Sequence, residues 1–232
     1  MANLARLAAG IALLPACWGA GRALVLCVAA AAGAPGALGA ESLALLGGIA
    51  AFALSWAVLP RPARAYVLGH ELTHALWSLA FGGLPSSLKV GAEGGSVKLT
   101  KTNMLITLAP YFFPFYTFVV IVAALVTYVF MRPLPLLPLW IFAIGFTWSF
   151  HVLFTLQTLT ERQPDVRLYG RIFSWTFIFL ANAAIVLVWL ASTTSLSFAG
   201  MAAEAGGCVI DAYRWAVFTV PAAIARKVSA TP

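Results

Sequence analysis

Long apolar runs joined by short connections leave this chain few folds to adopt. The runs cover residues 7–31, 42–59, 104–130, 134–158 and 172–191. About 20 consecutive apolar residues make a helix long enough to cross a hydrocarbon core. In lipid the backbone must satisfy its own hydrogen bonds, which selects helices. The expected fold is therefore an all-α polytopic membrane protein of about six transmembrane helices, carried on a single membrane domain, 1–232. Charged residues are 9% of the chain, against about a quarter in soluble proteins. That scarcity excludes a cytosolic enzyme, a secreted disulfide scaffold and a disordered regulator.

Between the runs the sequence carries distinct stops. Arg6, an apolar stretch and Leu14-Pro15-Ala16-Cys17 resemble a lipoprotein signal in part, and the segment reads as a signal anchor that forms the first span. Arg22 interrupts that run and is placed to snorkel or to pair inside the bundle. Pro60 and Pro62 break the chain before a helix over 63–81, which Gly82-Gly83 should stop. Residues 84–103 differ in kind. Ser87-Leu88-Lys89-Val90 and Ser96-Val97-Lys98-Leu99-Thr100 alternate polar and apolar about a Gly-rich turn, the pattern of a β-hairpin. The tail at 208–226 is apolar but holds Asp211, Arg214 and Pro221, so it reads as an interfacial or a seventh helix. The three cysteines, Cys17, Cys27 and Cys208, lie in apolar segments without a CxxC pair, as expected of buried free thiols.

His70-Glu71-Leu72-Thr73-His74 lies inside the helix at 63–81. Side chains at i and i+4 share a helix face, so both imidazoles can reach one Zn²⁺. Glu71, rotated by about 100° from His70, can take a proton from a water acidified by the metal. The whole chain has three histidines, and two fall in this pattern. Ionisable groups in an apolar segment are costly and mark function by default. The bland alternative is a pair of interior histidines satisfied by hydrogen bonds, with Glu71 paired to a cation.

A hydrolytic zinc site needs a third protein ligand. The candidates are Glu41, Glu93, Glu161, Asp165, Glu204, Asp211 and His151. Asp165 follows Pro164, which stiffens the backbone beside it, and it stands between two runs. It reads as the ligand or as an N-cap of the last long run. His151 lies mid-run and faces the interior if Phe150, Val152 and Phe154 face lipid. It is a candidate transition-state donor, a second-sphere residue or a packed histidine.

Gly69-His70-Glu71-Leu72-Thr73-His74-Ala75 in a membrane helix, a following β-hairpin and a downstream Pro164-Asp165 resemble the site-2 protease family of intramembrane zinc metalloproteases. The resemblance covers 63–175, the expected catalytic core. It implies that His70, His74 and Asp165 bind zinc and that Glu71 is the general base. Where the family has Asn-Pro-Asp-Gly, this chain reads Gln163-Pro164-Asp165-Val166, and it has no PDZ-like insertion. The implied activity is peptide-bond hydrolysis in membrane-embedded protein substrates, with Zn²⁺ as cofactor. Two competing readings are a membrane scaffold or accessory subunit with a protease-like fold, and a protease whose third ligand is Glu161.

The net charge of +7 does not indicate nucleic acid, because the basic residues are scattered singly between apolar runs, where they meet lipid headgroups and set orientation. If the helix at 63–81 and the hairpin form a re-entrant unit, then Arg6, Arg61, Arg64, Lys89, Lys98, Lys101, Arg162, Arg167 and Arg171 share one face, and Arg132 lies opposite. Simple alternation would split the same residues almost evenly. The positive-inside rule makes the basic face cytoplasmic. The expected location is thus a bacterial inner (cytoplasmic) membrane with the site facing the cytoplasm. With Cys17, Cys27 and Cys208 replaced, a cysteine introduced near Arg132 should react with an impermeant reagent on intact cells, and one near Lys98 should not; equal labelling would refute this topology.

Overall fold

The computed structural model describes residues 2–34, 39–91, 94–161, 163–194 and 196–223. The chain is mostly helical, in the order α1 (Ala2–Ala12), α2 (Leu14–Ala32), α3 (Ala40–Val58), α4 (Ala63–Ala80), strands β1 (Pro85–Val90) and β2 (Gly95–Leu99), α5 (Met104–Leu108), a 3₁₀ turn (Ala109–Tyr111), α6 (Phe115–Phe130), α7 (Leu137–Thr160), α8 (Pro164–Leu168), α9 (Arg171–Thr193) and α10 (Phe198–Arg214). Contacts divide it into two units, one of Met1–Ala37 with Tyr169–Pro232 and one of Leu38–Leu168.

Among the described residues, four helical segments are long and apolar enough to cross a membrane: Asn3–Ala32, Ala40–Val58, Leu137–Thr160 and Arg171–Thr193. A fifth crossing is possible if Met104–Tyr111 and Phe115–Phe130 count together, although they bend by 83°. The sequence runs suggested about six. The run at 104–130 is not one straight helix, because Pro110 and Pro114 each lack an amide donor and disfavour helix just before them. The tail also differs from expectation. Its helix begins at Phe198 rather than 208, with the Ser197 hydroxyl accepting from the Gly200 amide as an N-cap. Helix α10 carries Glu204, Asp211 and Arg214 and is not among the candidate spans. Residues 224–226 lie outside the described ones.

In the first unit, α2 crosses α10 where Gly19 lies against the backbone of Cys208 and Val209. Helix α1 meets α9 at Gly10, beside Ile172 and Phe173. The three cysteines are free.

In the second unit, α3 and α7 form the principal helix pair. A Cβ added at Gly48 would fall on the Phe142 carbonyl, and one at Gly145 on the Leu45 carbonyl. These reciprocal glycines let the backbones approach as small residues do in membrane bundles. Beyond them Phe52, Phe150 and Phe154 form a buried aromatic cluster against Trp56, Tyr66 and Tyr116. Phe52 meets Phe146 edge-on with ring centroids 5.0 Å apart, a geometry favoured by the ring quadrupoles.

The hairpin expected at 84–103 is present. Strands β1 and β2 are antiparallel, with Pro85 opposite Leu99 and Val90 opposite Gly95. The register is irregular between Ser86 and Lys89, where Ser87 takes a left-handed φ of 51°. The α4 helix ends as its Gly82-Gly83 predicts, with Gly82 at a φ of 74°. Lys101 Nζ donates to the Phe81 carbonyl and Ser78 Oγ to the Lys101 carbonyl, both at 3.1 Å. These two bonds tie the end of α4 to the strand that returns from the hairpin.

Gly145→Val should push α7 away from α3 and destabilise this unit by about 1–3 kcal/mol, the range for overpacking a close contact. Denaturant or thermal unfolding of the purified protein in detergent would measure it, and unchanged stability would contradict the close-approach account.

Candidate metal centre

Helix α4 holds His70 and His74 one turn apart, and both Nε2 atoms point at Asp165. His70 Nε2 lies 3.3 Å and His74 Nε2 3.4 Å from Asp165 Oδ2. The two Nε2 atoms are 3.2 Å from each other. This triangle makes a direct test of fit. With metal–ligand distances of about 2.0–2.1 Å, the edge of a tetrahedron is about 3.4 Å. The donor set of two imidazoles and a carboxylate is also one that zinc accepts. His70, His74 and Asp165 thus form a group able to hold a metal ion.

The tautomer of His74 follows from a helix break upstream of α6. Ile106 belongs to α5, whose N-cap Asn103 accepts from the Ile106 amide at 2.9 Å. In a continuing helix the Ile106 carbonyl would receive the amide of residue 110. That residue is Pro110, which has no N–H, so the carbonyl is left free. His74 Nδ1 fills it at 2.9 Å. Donation from Nδ1–H leaves Nε2 as a lone pair facing the site, the way ligating histidines are fixed.

Asp165 reaches the histidines from α8, a single turn whose Val166 is buried. Tyr111 Oη donates to Asp165 Oδ2 at 3.2 Å, and Tyr111 is itself fully buried. Burial alone would raise the pKa of the Asp165 carboxyl, but hydrogen bonds and charge from His70 and His74 outweigh it and hold the group well below the usual carboxylate range. Asp165 is not the N-cap of the next helix. It lies within the first turn of α8, and α9 starts at Arg171 with Gly170 before it.

Glu71 is buried and stands outside the three converging groups. It lines the same open cavity, of about 720 Å³, together with His70, His74, Asp165 and residues 94–97 of the hairpin. The hairpin comes close because β2 begins with glycine. A Cβ on Gly95 would lie 2.6 Å from Val67 Cγ1 and 2.9 Å from Glu71 Cγ. The cavity lies between α4, the hairpin and the end of α7.

The other acidic candidates are elsewhere. The Glu161 carboxylate lines the cavity, yet it accepts from Gln157 and Gln163 at 3.2 and 3.3 Å and does not join the triad. Glu41 is in the first turn of α3. Glu204 and Asp211 belong to the other unit. Glu93 lies outside the described residues. His151 is buried but is not a member of the triad. The premise that Phe150 and Phe154 face lipid is corrected: both are in the aromatic core. His151 is interior because this part of α7 is packed on several sides.

Sequence reasoning did not anticipate Tyr111 or the Ile106 carbonyl. The stretch 109–114 is kinked beside its two prolines, and the phenol within it reaches the carboxylate. Pro110, four residues after Ile106, was the available signal. Compared with family models, curated proteins and solved structures, the chain matches none.

Tyr111→Phe removes one donor from Asp165 while keeping the ring. It should weaken divalent-metal affinity about tenfold, as read by chelator competition on protein of unchanged helicity; full affinity would show that the bond does not position the ligand.

Proposed function

We propose that this chain is an intramembrane zinc metalloprotease of the site-2 protease type, acting on membrane-embedded protein substrates. One observation carries the reading: Asp165, distant in sequence, lies 3.3 and 3.4 Å from the two histidines of the HExxH helix. Two histidines on one helix are a common pattern. A third donor, a carboxylate oxygen at tetrahedral edge distance, beside a buried glutamate and an open cavity, is a much rarer one.

In this reading His70, His74 and Asp165 hold the zinc, and Tyr111 and the Ile106 carbonyl keep two of them oriented. Zinc, when bound, supplies a Lewis acid that acidifies water and polarises a carbonyl. Glu71 accepts the proton of the attacking water and returns it to the leaving amine. A helical substrate must unwind before its carbonyl can enter, since its backbone groups are already paired. The hairpin offers replacement bonds: an extended segment can pair along the β2 edge, whose residues 95–97 line the cavity. Gly95 allows that edge to lie against Glu71.

The membrane arrangement belongs to the same proposal. Helix α4 and the hairpin form the re-entrant unit, and the bent pair α5–α6 makes one crossing. The intervening basic residues then gather on the cytoplasmic side of a bacterial inner membrane, with Arg132 opposite. The count of about six spans becomes five, with α10 at the interface.

The test uses the full chain reconstituted with a panel of single-span reporter proteins bearing helix-destabilising residues. Glu71→Gln should retain zinc and lose cleavage by about 10²–10⁴-fold. Asp165→Asn should lose zinc, whereas Glu161→Gln should keep it. Metal-free wild-type protein with the triad intact would favour the scaffold reading, and zinc loss confined to Glu161→Gln would reassign the third ligand.

A further inference from the structure

The two histidines of the triad are supported unequally. His74 Nδ1 has the Ile106 carbonyl at 2.9 Å. His70 Nδ1 is buried with no protein partner, although its Nε2 also faces the site. A buried N–H left unpaired is costly, and a ligating histidine ordinarily donates its second nitrogen to something.

A second group in the same place has the complementary fault. His151 Nε2, on α7, is also buried without a partner. His70 and His151 both line one small cavity of about 20 Å³, separate from the large open one. A single water needs about 10–15 Å³ and two to four polar partners. The cavity therefore has room for one water. Two hydroxyls on its wall are already used: Thr73 donates to the Gly69 carbonyl and Tyr116 to the Ala65 carbonyl. Tyr66, on the same wall, has its hydroxyl within reach of Thr158.

We infer that one buried water bridges His70 to His151, making His151 a positioning residue for the metal ligand. His70 Nδ1–H donates to the water oxygen, and the water donates to His151 Nε2. The bridge does for His70 what the Ile106 carbonyl does for His74: it fixes the proton on Nδ1 and turns the Nε2 lone pair to the site. No direct contact of His151 with the metal or the substrate is required. This inference rests on the metal-site reading above.

The experiment measures zinc affinity by chelator competition, and the d–d absorption of the cobalt-substituted protein, for wild type, His151→Phe and His151→Gln. The phenyl ring removes the acceptor, and the amide carbonyl of glutamine restores one. His151→Phe should weaken zinc about 10–100-fold and shift the cobalt bands, and His151→Gln should return both toward wild type. Wild-type behaviour of His151→Phe, or a His151→Gln protein as impaired as His151→Phe, would overturn the bridge while leaving the metal site standing. Failure of wild type to bind zinc would overturn both. If His151→Phe does not fold, a high-resolution structure of wild type decides: density within 2.7–3.2 Å of both His70 Nδ1 and His151 Nε2 supports the bridge, and a dry cavity refutes it.

Discussion

Three electron-rich atoms, two imidazole nitrogens and a carboxylate oxygen, converge to within 3.4 Å at the heart of the second unit. Such an arrangement is unfavourable unless positive charge, a proton or a metal ion, lies among them. Much of the surrounding structure serves to hold it. Helix α4 sets the histidine spacing, α8 delivers the aspartate, and the broken helix at 104–114 supplies both the Tyr111 hydroxyl and the Ile106 carbonyl. The α3–α7 pair, closed by Gly48 and Gly145, provides the packed frame behind them. The cost of burying polar groups in an apolar chain is met by mutual pairing rather than by water at a surface.

The break in the fifth candidate crossing has a structural use beyond ending a helix. Pro110 removes one backbone donor, and the carbonyl thereby freed becomes the acceptor for His74. A residue that a helix would reject is thus the reason a histidine tautomer is fixed. The hairpin makes a second such exchange. Its glycine at position 95 contributes no packing, but the absent side chain lets β2 approach Glu71 closely enough to form one wall of the cavity.

Much of the framework was legible along the chain. Apolar runs anticipated α3, α7 and α9 closely, because continuous hydrophobicity over about 20 residues has few other uses. The hairpin showed itself through period-two alternation, and α4 through its flanking Pro62 and Gly82-Gly83. Local signals did less well at 104–130, where the prolines were visible but the 83° bend depends on what each half packs against. The C-terminal helix starts ten residues before the apolar tail at 208, because Ser197 caps it there. Nor does the sequence tell which face of α7 is aromatic core: an unbroken apolar helix carries no period to distinguish lipid from core.

By itself the sequence determined that the chain is a helical membrane-type protein and that His70, Glu71 and His74 lie within one turn of a helix, because both facts depend only on composition and on 3.6-residue periodicity. It narrowed the remaining ligand to a few acids and one histidine. Only the tertiary structure decided which of them stands beside the two histidines, Asp165 and not Glu161 or His151, and it alone disclosed Tyr111, the Ile106 carbonyl and the small cavity that His70 and His151 both line. Those depend on where one helix crosses another and on which backbone groups are left unpaired. Distances between segments far apart in the chain are set by packing, which no local pattern encodes.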